Sequence, residues 1–259
     1  LIELNENGVC SAVFTQNNFA AAPVLVSREH LKSKSCRYLL INSGNANAAT
    51  GDEGIKTASR CCQSVAEIAG LMKEEVLPFS TGVIGQSLDF QKIRDAIPSL
   101  FQKLAGDGWT DVARAILTTD TETKISAIEV EIDDKTVKII GIAKGSGMIQ
   151  PNMATMLSFI ATDALLERDL SDQILFEACE NTFNRITVDG DTSTNDACVL
   201  MSTGLSGVNC NKSPQLELIK QGIFQVMRDL AMAIVKDGEG ATKFVEVRVK
   251  GGRAKEDSR

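Results

Sequence analysis

One stretch of the chain combines residues that could cleave their own backbone. Residues 143–159 read Ala-Lys-Gly-Ser-Gly-Met-Ile-Gln-Pro-Asn-Met-Ala-Thr-Met-Leu-Ser-Phe, so a glycine-rich loop stiffened by Pro151 leads into an apolar strand near Thr155. The Thr155 hydroxyl could attack the Ala154 carbonyl, and hydrolysis of the ester would expose Thr155 as a new N-terminus. Its freed α-amine, a group that titrates at about pH 8, could then be the general base for the same hydroxyl. A threonine that merely begins a strand is the competing interpretation, and spacing alone favours it.

Other loops carry side chains suited to binding or to charge stabilisation. Thr81 and Gly82 follow a short predicted strand and could donate hydrogen bonds to a developing oxyanion, although Thr-Gly pairs commonly just make turns. Residues 118–121 and 236–240 each follow a predicted helix, where binding loops are often found. The first could instead lead into a hairpin, and the second could be a helix cap with a turn. Lys144 is a further candidate because its loop leads to the predicted nucleophile.

The signatures of metal and nucleotide binding are incomplete. Asp189-Gly-Asp-Thr-Ser-Thr-Asn-Asp196 is as rich in oxygen atoms as a Ca²⁺ or Mg²⁺ loop, but it lacks the EF-hand spacing and the final bidentate glutamate. A turn that caps its own backbone is therefore favoured, and we predict no metal site. Gly145 and Gly147 lack the third glycine of a dinucleotide fingerprint. The one histidine, His30, rules out a two-histidine metal site within the chain and is expected on the surface beside its charged neighbours.

Composition and charge narrow the class of protein. The chain has 259 residues, 43% hydrophobic and 24% charged, which is typical of a globular protein. Its net charge of −7 argues against nucleic-acid binding, and no apolar run reaches the roughly 18 residues of a membrane span. Seven cysteines, two of them adjacent and none in a C-x-x-C pattern, argue against a disulfide framework. We therefore expect a cytoplasmic protein with reduced cysteines.

Strand and helix patterns alternate along the chain. Strands are predicted where apolar residues alternate or form short runs, and helices where they recur every three or four residues. The predicted strands span residues 8–15, 22–27, 37–42, 76–79, 128–132, 137–143, 153–161, 198–202 and 244–250. The predicted helices begin near Gly54, Phe90, Thr110 as N-cap, Ser171, and Ser213-Pro214. Hairpins mixed with helices favour an α/β (α+β) fold, a layered sandwich of sheets and helices.

Seven motifs together resemble one enzyme family and cover nearly the whole chain. They are Asn42-Ser-Gly-Asn-Ala-Asn47, Ser80-Thr-Gly-Val-Ile-Gly85, Thr118-Thr-Asp-Thr121, Lys144-Gly-Ser-Gly-Met148, Asn152-Met-Ala-Thr-Met-Leu157, Asp189-Gly-Asp-Thr-Ser-Thr-Asn-Asp196 and Lys236-Asp-Gly-Glu-Gly-Ala-Thr-Lys-Phe244. In these motifs and their order the chain resembles the glutamate N-acetyltransferase (ornithine acetyltransferase) family of arginine biosynthesis. Seven motifs in the family's order make a specific match. They therefore favour Thr155 as a nucleophile over Thr155 as an ordinary strand residue.

The resemblance implies a self-processing enzyme. Thr155 would be the nucleophile, exposed by cleavage after Ala154. The cut would give an α chain of residues 1–154 and a β chain that begins at Thr155 and, in this chain, ends at residue 259. The implied fold is similar to that of the self-processing N-terminal-nucleophile aminopeptidases, with two sheets between helical layers, and the implied assembly has two α and two β chains. The family's β chain continues further and supplies an Asn and a Ser or Thr to the substrate pocket.

The resemblance also implies the residues that bind and stabilise the substrate. Thr81 and Gly82 would form the oxyanion hole. Lys144 would bind the α-carboxylate of the amino acid and Glu239 a substrate ammonium group. The substrate-binding set would be Thr118, Lys144, Thr155 and Glu239, with Thr119 and Thr121 left open as alternatives to Thr118.

The implied reaction moves an acetyl group from N²-acetylornithine to glutamate by ping-pong chemistry. The acetyl group would be stored on Thr155, so no bound cofactor is expected, and acetyl-CoA remains open as a second donor. Two alternatives remain at this point. One is an amidase or aminopeptidase that uses the same Thr155, and the other is a non-catalytic amino-acid-binding protein in which Thr155 is an ordinary strand residue.

Overall fold

Two β-sheets lie face to face in this protein. The structure, a computed structural model, describes residues 1–150, 156–211 and 214–251. Its strands are β1 (Ile2–Glu3), β2 (Val9–Phe14), β3 (Tyr38–Asn45), β4 (Val76–Val83), β5 (Lys124–Ile132), β6 (Lys135–Lys144), β7 (Leu157–Thr162) and β8 (Ala197–Ser202). The smaller sheet has the order β1-β3-β4, and the larger sheet has the order β2-β8-β7-β6-β5.

Helices cover the outer face of each sheet. They are α1 (Ala22–Ser33), α2 (Gly51–Ala69), α3 (Phe90–Gln102), α4 (Trp109–Ala115), α5 (Arg168–Asn181) and α6 (Gln215–Lys236), with short 3₁₀ helices at Lys73–Glu75 and Phe183–Arg185. Buried residues of α1, α2 and α3 pack together with Tyr38 and Leu40 of the smaller sheet. Leu175 of α5 and Leu230 of α6 belong to the core on the outer face of the larger sheet.

A third apolar core fills the space between the two sheets. Leu39 and Leu77 of the smaller sheet meet Ile142 of the larger sheet there. Phe79 and Phe159 make an edge-to-face contact, with ring centroids 5.1 Å apart and planes at 88°. Such a pair contributes about 0.5–1.5 kcal/mol beyond the burial of the rings themselves. The layer order is therefore helices, sheet, sheet, helices, which confirms the predicted layered sandwich.

Strands from both sides of the predicted cleavage point share the larger sheet. β7 and β8 follow residue 155 and pair in parallel, whereas β2 pairs with β8 and β6 with β7 in antiparallel fashion. The division into chains of residues 1–154 and 155–259 stays a prediction, because residues 154 and 155 lie outside the described part of the chain. The strand pairing means that a cut there would leave the two pieces hydrogen-bonded to each other.

Most predicted elements are confirmed. The helix predicted from Gly54 is α2, and the helix predicted from Phe90 is α3, which contains Pro98. The strongest predicted hairpin is the pair β5 and β6. Asp133 and Asp134 both have positive φ, 49° and 59°, which is the backbone of a type I′ turn. The strand predicted at 153–161 appears as β7 from Leu157 onward, and its first three residues lie outside the described residues.

The strand predicted at residues 22–27 is wrong, because this segment begins helix α1. The alternation of Val24 and Val26 was the strand signal. In the structure Ala22, Val26 and His30 lie four residues apart on one buried face. Pro23 sits in the first helical turn, where the missing N–H costs no hydrogen bond. The surface position predicted for His30 is also wrong: its side chain is buried, and its Nδ1 lies 2.8 Å from the Val76 carbonyl oxygen.

The strand predicted at residues 244–250 is also absent from the structure. This segment forms no strand, and Val245 and Val247 are exposed. Alternation supplies the pattern of a strand, but a strand also needs a neighbour with which to pair. Two helix starts differ as well: α4 is capped by Gly108 rather than Thr110, and α5 starts at Arg168, before Ser171. Helix α6 begins at Gln215, and the predicted cap Ser213 lies outside the described residues.

Candidate active site

The ends of β3 and β4 form one wall of a small pocket. Thr81 is buried, and Gly82 has φ +127°, with its backbone against Gly44 of the neighbouring strand. Asn195 holds this wall in place, because its side-chain amide donates to the Ser80 carbonyl at 2.9 Å and to the Ala46 carbonyl at 2.7 Å. The two predicted oxyanion-hole residues therefore stand at a strand end that Asn195 ties to the neighbouring loop.

We expect Gly82→Ala to destabilise the protein. A Cβ there would lie 2.3 Å from the Gly44 carbonyl carbon, and the φ value is one that L-residues rarely adopt. Strain and overlap together should lower the free energy of unfolding by about 2–3 kcal/mol, measured by urea denaturation. Gly85→Ala is the matched control, because Gly85 has φ +83° but nothing within 4 Å of its Cβ position. Gly85→Ala should lower the free energy of unfolding by about 1 kcal/mol. Equal losses of unfolding free energy in the two variants would contradict the close approach of Gly82 to Gly44.

Lys144 stands at the end of β6 and is buried. Its Nζ donates a hydrogen bond to the Thr118 hydroxyl at 2.8 Å and lies 3.6 Å from Asp120 Oδ2. Burial lowers the pKa of Lys144, and the nearby Asp120 carboxylate opposes that shift. The ammonium group is therefore held at the pocket by two partners from a single loop.

Asp120 joins the Lys144 loop to the rest of the site. Its carboxylate accepts hydrogen bonds from the backbone N–H of Gly145 at 2.6 Å and of Thr118 at 3.2 Å, and from Lys124 Nζ at 2.8 Å. Burial acts to raise the pKa of Asp120, but the Lys144 and Lys124 charges and the Gly145 N–H outweigh it and leave the pKa below its usual value. Asp120 is therefore a carboxylate that organises two lysines.

The three threonines of the 118–121 loop have different partners. Thr118 contacts Lys144, whereas the Thr119 hydroxyl lies 2.7 Å from the Ser146 hydroxyl. Thr121 binds the Asp237 carboxylate, which also receives Lys124 Nζ at 2.5 Å. Of the three, Thr118 is the one whose hydroxyl reaches the buried lysine.

Glu239 lies at the same glycine-rich loop as Lys144. Its backbone N–H donates to the Ser146 carbonyl at 2.6 Å, and its Oε2 lies 2.8 Å from the position of a Cβ built on Gly147. Glu239 is exposed, so its carboxylate is accessible to a soluble ligand. A side chain at position 147 would occupy the space that Glu239 uses.

A pocket of about 40 Å³ brings several predicted residues together. Its lining includes Thr81, Gly82, Lys144 and Met156. Thr155 and Ala154 lie outside the described residues, so their predicted roles stay predictions. Met156 lies in the wall of this pocket, and it is the residue that follows the predicted nucleophile Thr155 in the sequence.

The Asp189–Asp196 motif caps backbone groups around the site. The Asp189 carboxylate accepts hydrogen bonds from the N–H groups of Met148 at 2.5 Å, Ile149 at 2.9 Å and Asp191 at 3.2 Å. The bond from Asp191 lies within the motif, as expected of a self-capping turn, whereas the bonds from Met148 and Ile149 join the motif to the distant glycine-rich loop. Among the described residues, no group of three or more His, Cys, Asp or Glu side chains could hold a metal ion.

Sequence reasoning did not single out four residues that shape the site: Asp120, Lys124, Asn195 and Asp196. Three of them lie inside motifs that carried the family resemblance. The motifs therefore pointed to these residues, but no role was predicted for them. Lys124 lies outside the motifs, and of its two carboxylate partners Asp120 is four residues away in the chain and Asp237 is 113 residues away.

Comparisons with known proteins agree with the motifs. The family model of the ArgJ family matches residues 1–259. The arginine biosynthesis bifunctional protein ArgJ of Methylococcus capsulatus is 50% identical over 261 residues, covering 100% of this chain and 64% of the relative. The ArgJ protein of Pseudomonas fluorescens is 45% identical over 250 residues, covering 95% of this chain and 62% of the relative. The chain thus spans less than two thirds of each of these relatives.

A solved structure gives the same result. The crystal structure of arginine biosynthesis bifunctional protein argJ from Bacillus halodurans has a TM-score of 0.52 and 36% identity, and the match covers 58% of this chain and 80% of that one. Among the described residues, no helix is long and apolar enough to cross a membrane. The resemblance found in the seven motifs is confirmed, and this chain belongs to the ArgJ family.

Proposed function

We propose that this chain is the acetyl-transferring part of an arginine-biosynthesis enzyme that moves an acetyl group from N²-acetylornithine to glutamate. One observation carries the proposal beyond family membership. Lys144, Thr81 and Gly82 line the same pocket as Met156, the residue that follows the predicted nucleophile. A cation suited to a carboxylate and candidate donors for an oxyanion therefore line one pocket together with the residue next to Thr155 in the sequence, which supports the proposal.

The reaction is proposed to proceed through an acetyl ester of Thr155. The Thr155 oxygen attacks the acetyl carbonyl carbon, the bond to the α-nitrogen of ornithine breaks, and ornithine leaves with the hydroxyl proton. The amine of glutamate then attacks the ester, the C–O bond breaks as one amine proton returns to the Thr155 oxygen, and acetylglutamate leaves. Thr81 and Gly82 are proposed to stabilise the oxyanion of each tetrahedral intermediate. The free amine of Thr155 requires prior cleavage of the Ala154–Thr155 bond.

Binding of the amino-acid substrate is assigned to Lys144, Thr118 and Glu239. The Lys144 ammonium group is the natural partner for the α-carboxylate, and Thr118 holds it in place at 2.8 Å. Glu239 is exposed beside the same loop and is suited to a substrate ammonium group. We expect no bound cofactor, since the acetyl group is stored on the enzyme, and an assembly of two α and two β chains in the cytoplasm.

Full-length protein with [¹⁴C]acetyl-ornithine and glutamate should yield labelled acetylglutamate with little free acetate. Near-attack positioning of the amine, with water kept from the ester, is worth about 7–11 kcal/mol, so transfer should exceed hydrolysis. Without glutamate, the label should remain on the fragment that begins at Thr155, and initial rates should give parallel lines.

The same assay separates the alternatives. Free acetate formed at equal rates with and without glutamate would identify an amidase instead. Neither labelled product nor labelled protein would favour a non-catalytic amino-acid-binding protein. A parallel reaction with labelled acetyl-CoA and glutamate tests the second donor.

A further inference from the structure

One buried asparagine binds the two backbone segments beside the predicted oxyanion hole. Asn195 is 8% exposed and lies two residues before β8 of the larger sheet. Its side-chain amide donates to the Ser80 carbonyl at 2.9 Å and to the Ala46 carbonyl at 2.7 Å. The Thr194 hydroxyl donates to its Oδ1 at 2.6 Å. Both amide hydrogens and the amide oxygen are therefore paired, which fixes the orientation of the side chain.

The hydrogen bond to Ser80 acts directly on Thr81. The Ser80 carbonyl and the Thr81 N–H belong to one peptide group, and a peptide group is planar. A donor that fixes the carbonyl therefore also fixes the direction of the Thr81 N–H and the position of the Thr81 Cα. The Ser80 hydroxyl donates to Asn42 Oδ1 on β3 at 2.6 Å. Ser80 is thus held by a partner within its own sheet and by Asn195 from outside that sheet.

We propose that Asn195 is a positioning residue that holds Thr81 and Gly82 in the geometry of an oxyanion hole. The inference rests on the proposed function, which places an oxyanion in each half-reaction. All three residues line the same pocket. Oxyanion donors act only within about 2.7–3.1 Å of the charged oxygen, so their catalytic effect depends on a fixed backbone. Both donors of Asn195 are already bound to backbone carbonyls, so Asn195 acts through Thr81 and Gly82 rather than on the substrate.

Asn195→Ala in full-length protein is the direct test, because it removes both donors. The two half-reactions are followed separately in single turnovers: acetylation of the protein by N²-acetylornithine, and its discharge by glutamate. Both pass through a tetrahedral intermediate with an oxyanion. Both rate constants should therefore fall by a similar factor, about 10-fold to 100-fold, while the half-saturating concentration of each substrate stays unchanged.

A merely structural role of Asn195 would give a different result. A smaller number of competent molecules lowers the amount of protein acetylated in the first turnover but leaves the rate constant of that turnover unchanged. Wild-type rate constants in Asn195→Ala would therefore overturn the inference, whatever the amount acetylated. A raised half-saturating concentration with unchanged rate constants would also overturn it, because Asn195 would then bind the substrate itself.

Asn5→Ala is the matched control. The Asn5 side-chain amide also donates to a distant backbone carbonyl, that of Thr203 at 3.0 Å, but Thr203 lies beyond the opposite end of β8 from Asn195. Both rate constants of Asn5→Ala should equal those of wild type. An equal loss of rate in Asn5→Ala and Asn195→Ala would overturn the inference, because the effect would not depend on the position of the pocket.

Thr194→Val decides if Asn195→Ala does not fold or is not acetylated. This variant keeps the shape of the side chain but removes the hydroxyl that orients the Asn195 amide. Both rate constants should fall about threefold, and unchanged rate constants would overturn the inference. Wild-type protein that never becomes acetylated would contradict the proposed function. Active wild type together with unchanged rate constants in the variants would overturn the inference alone.

Discussion

Thr155→Ala is expected to leave the chain whole and to reduce acetyl transfer by about 10³–10⁶-fold. The variant removes the hydroxyl that would attack the Ala154 carbonyl and later carry the acetyl group. Denaturing mass spectrometry should show one mass for the variant. Wild type should show two fragments, and sequencing of the second should read Thr-Met-Leu-Ser from its N-terminus.

The fold adds a second expectation to this experiment. β6 pairs with β7 and β2 with β8, so strands on both sides of the cut share one sheet. Under native conditions wild type and Thr155→Ala should therefore differ in mass only by the substitution and the water added in cleavage, and only denaturation should separate the fragments of wild type. Two pieces that separate without denaturant would contradict the strand pairing.

Two other substitutions of a threonine act as controls for Thr155→Ala. Thr155→Ser retains a hydroxyl and should still cleave. Thr136→Ala removes an exposed hydroxyl that binds Glu131 in the hairpin far from the site, and it should cleave and transfer like wild type. Wild-type chain that remains full length after prolonged incubation would disprove self-processing, whatever the variants do.

The fold was predictable where the local sequence pattern agrees with the packing of that segment in the folded protein. α2 follows from apolar residues every three or four positions, and the β5–β6 hairpin follows from alternation interrupted by two aspartates. The two false strands show the opposite case. Residues 22–27 alternate but belong to a helical face completed by His30, and residues 244–250 alternate without a paired neighbour. The sequence pattern shows which face of a segment is apolar, whereas strand pairing depends on which other segments lie beside it in the fold.

The site was predictable only as a set of motifs. Lys144 and Thr118 were assigned from the family resemblance, and their 2.8 Å contact depends on the register of distant segments. The roles of Asn195 and Asp196 depend on long-range hydrogen bonds, to Ala46 and to Met156. No local rule gives such contacts, since neither residue stands out from the polar turn that contains it.

Lys144→Met should raise KM for N²-acetylornithine by about 2–4 kcal/mol, or roughly 30-fold to 1,000-fold, with a smaller effect on stability. Methionine keeps the length and the apolar stem of the side chain but cannot bind the substrate carboxylate. Asp120 would not be left unpaired, because Lys124 Nζ at 2.8 Å and the Gly145 N–H at 2.6 Å remain. Initial-rate kinetics and urea denaturation measure the two effects.

Lys124→Met is the matched control, for which we expect a large loss of stability and only a small change in KM. Lys124 bridges Asp120 at 2.8 Å and Asp237 at 2.5 Å, and all three side chains are at most 8% exposed. Its loss leaves two buried carboxylates without their shared cation, which should cost about 3–5 kcal/mol of unfolding free energy. Lys144 would still face the pocket, so KM should change far less than in Lys144→Met. If Lys144→Met left KM at its wild-type value, Lys144 would be structural and the carboxylate of the substrate would bind elsewhere.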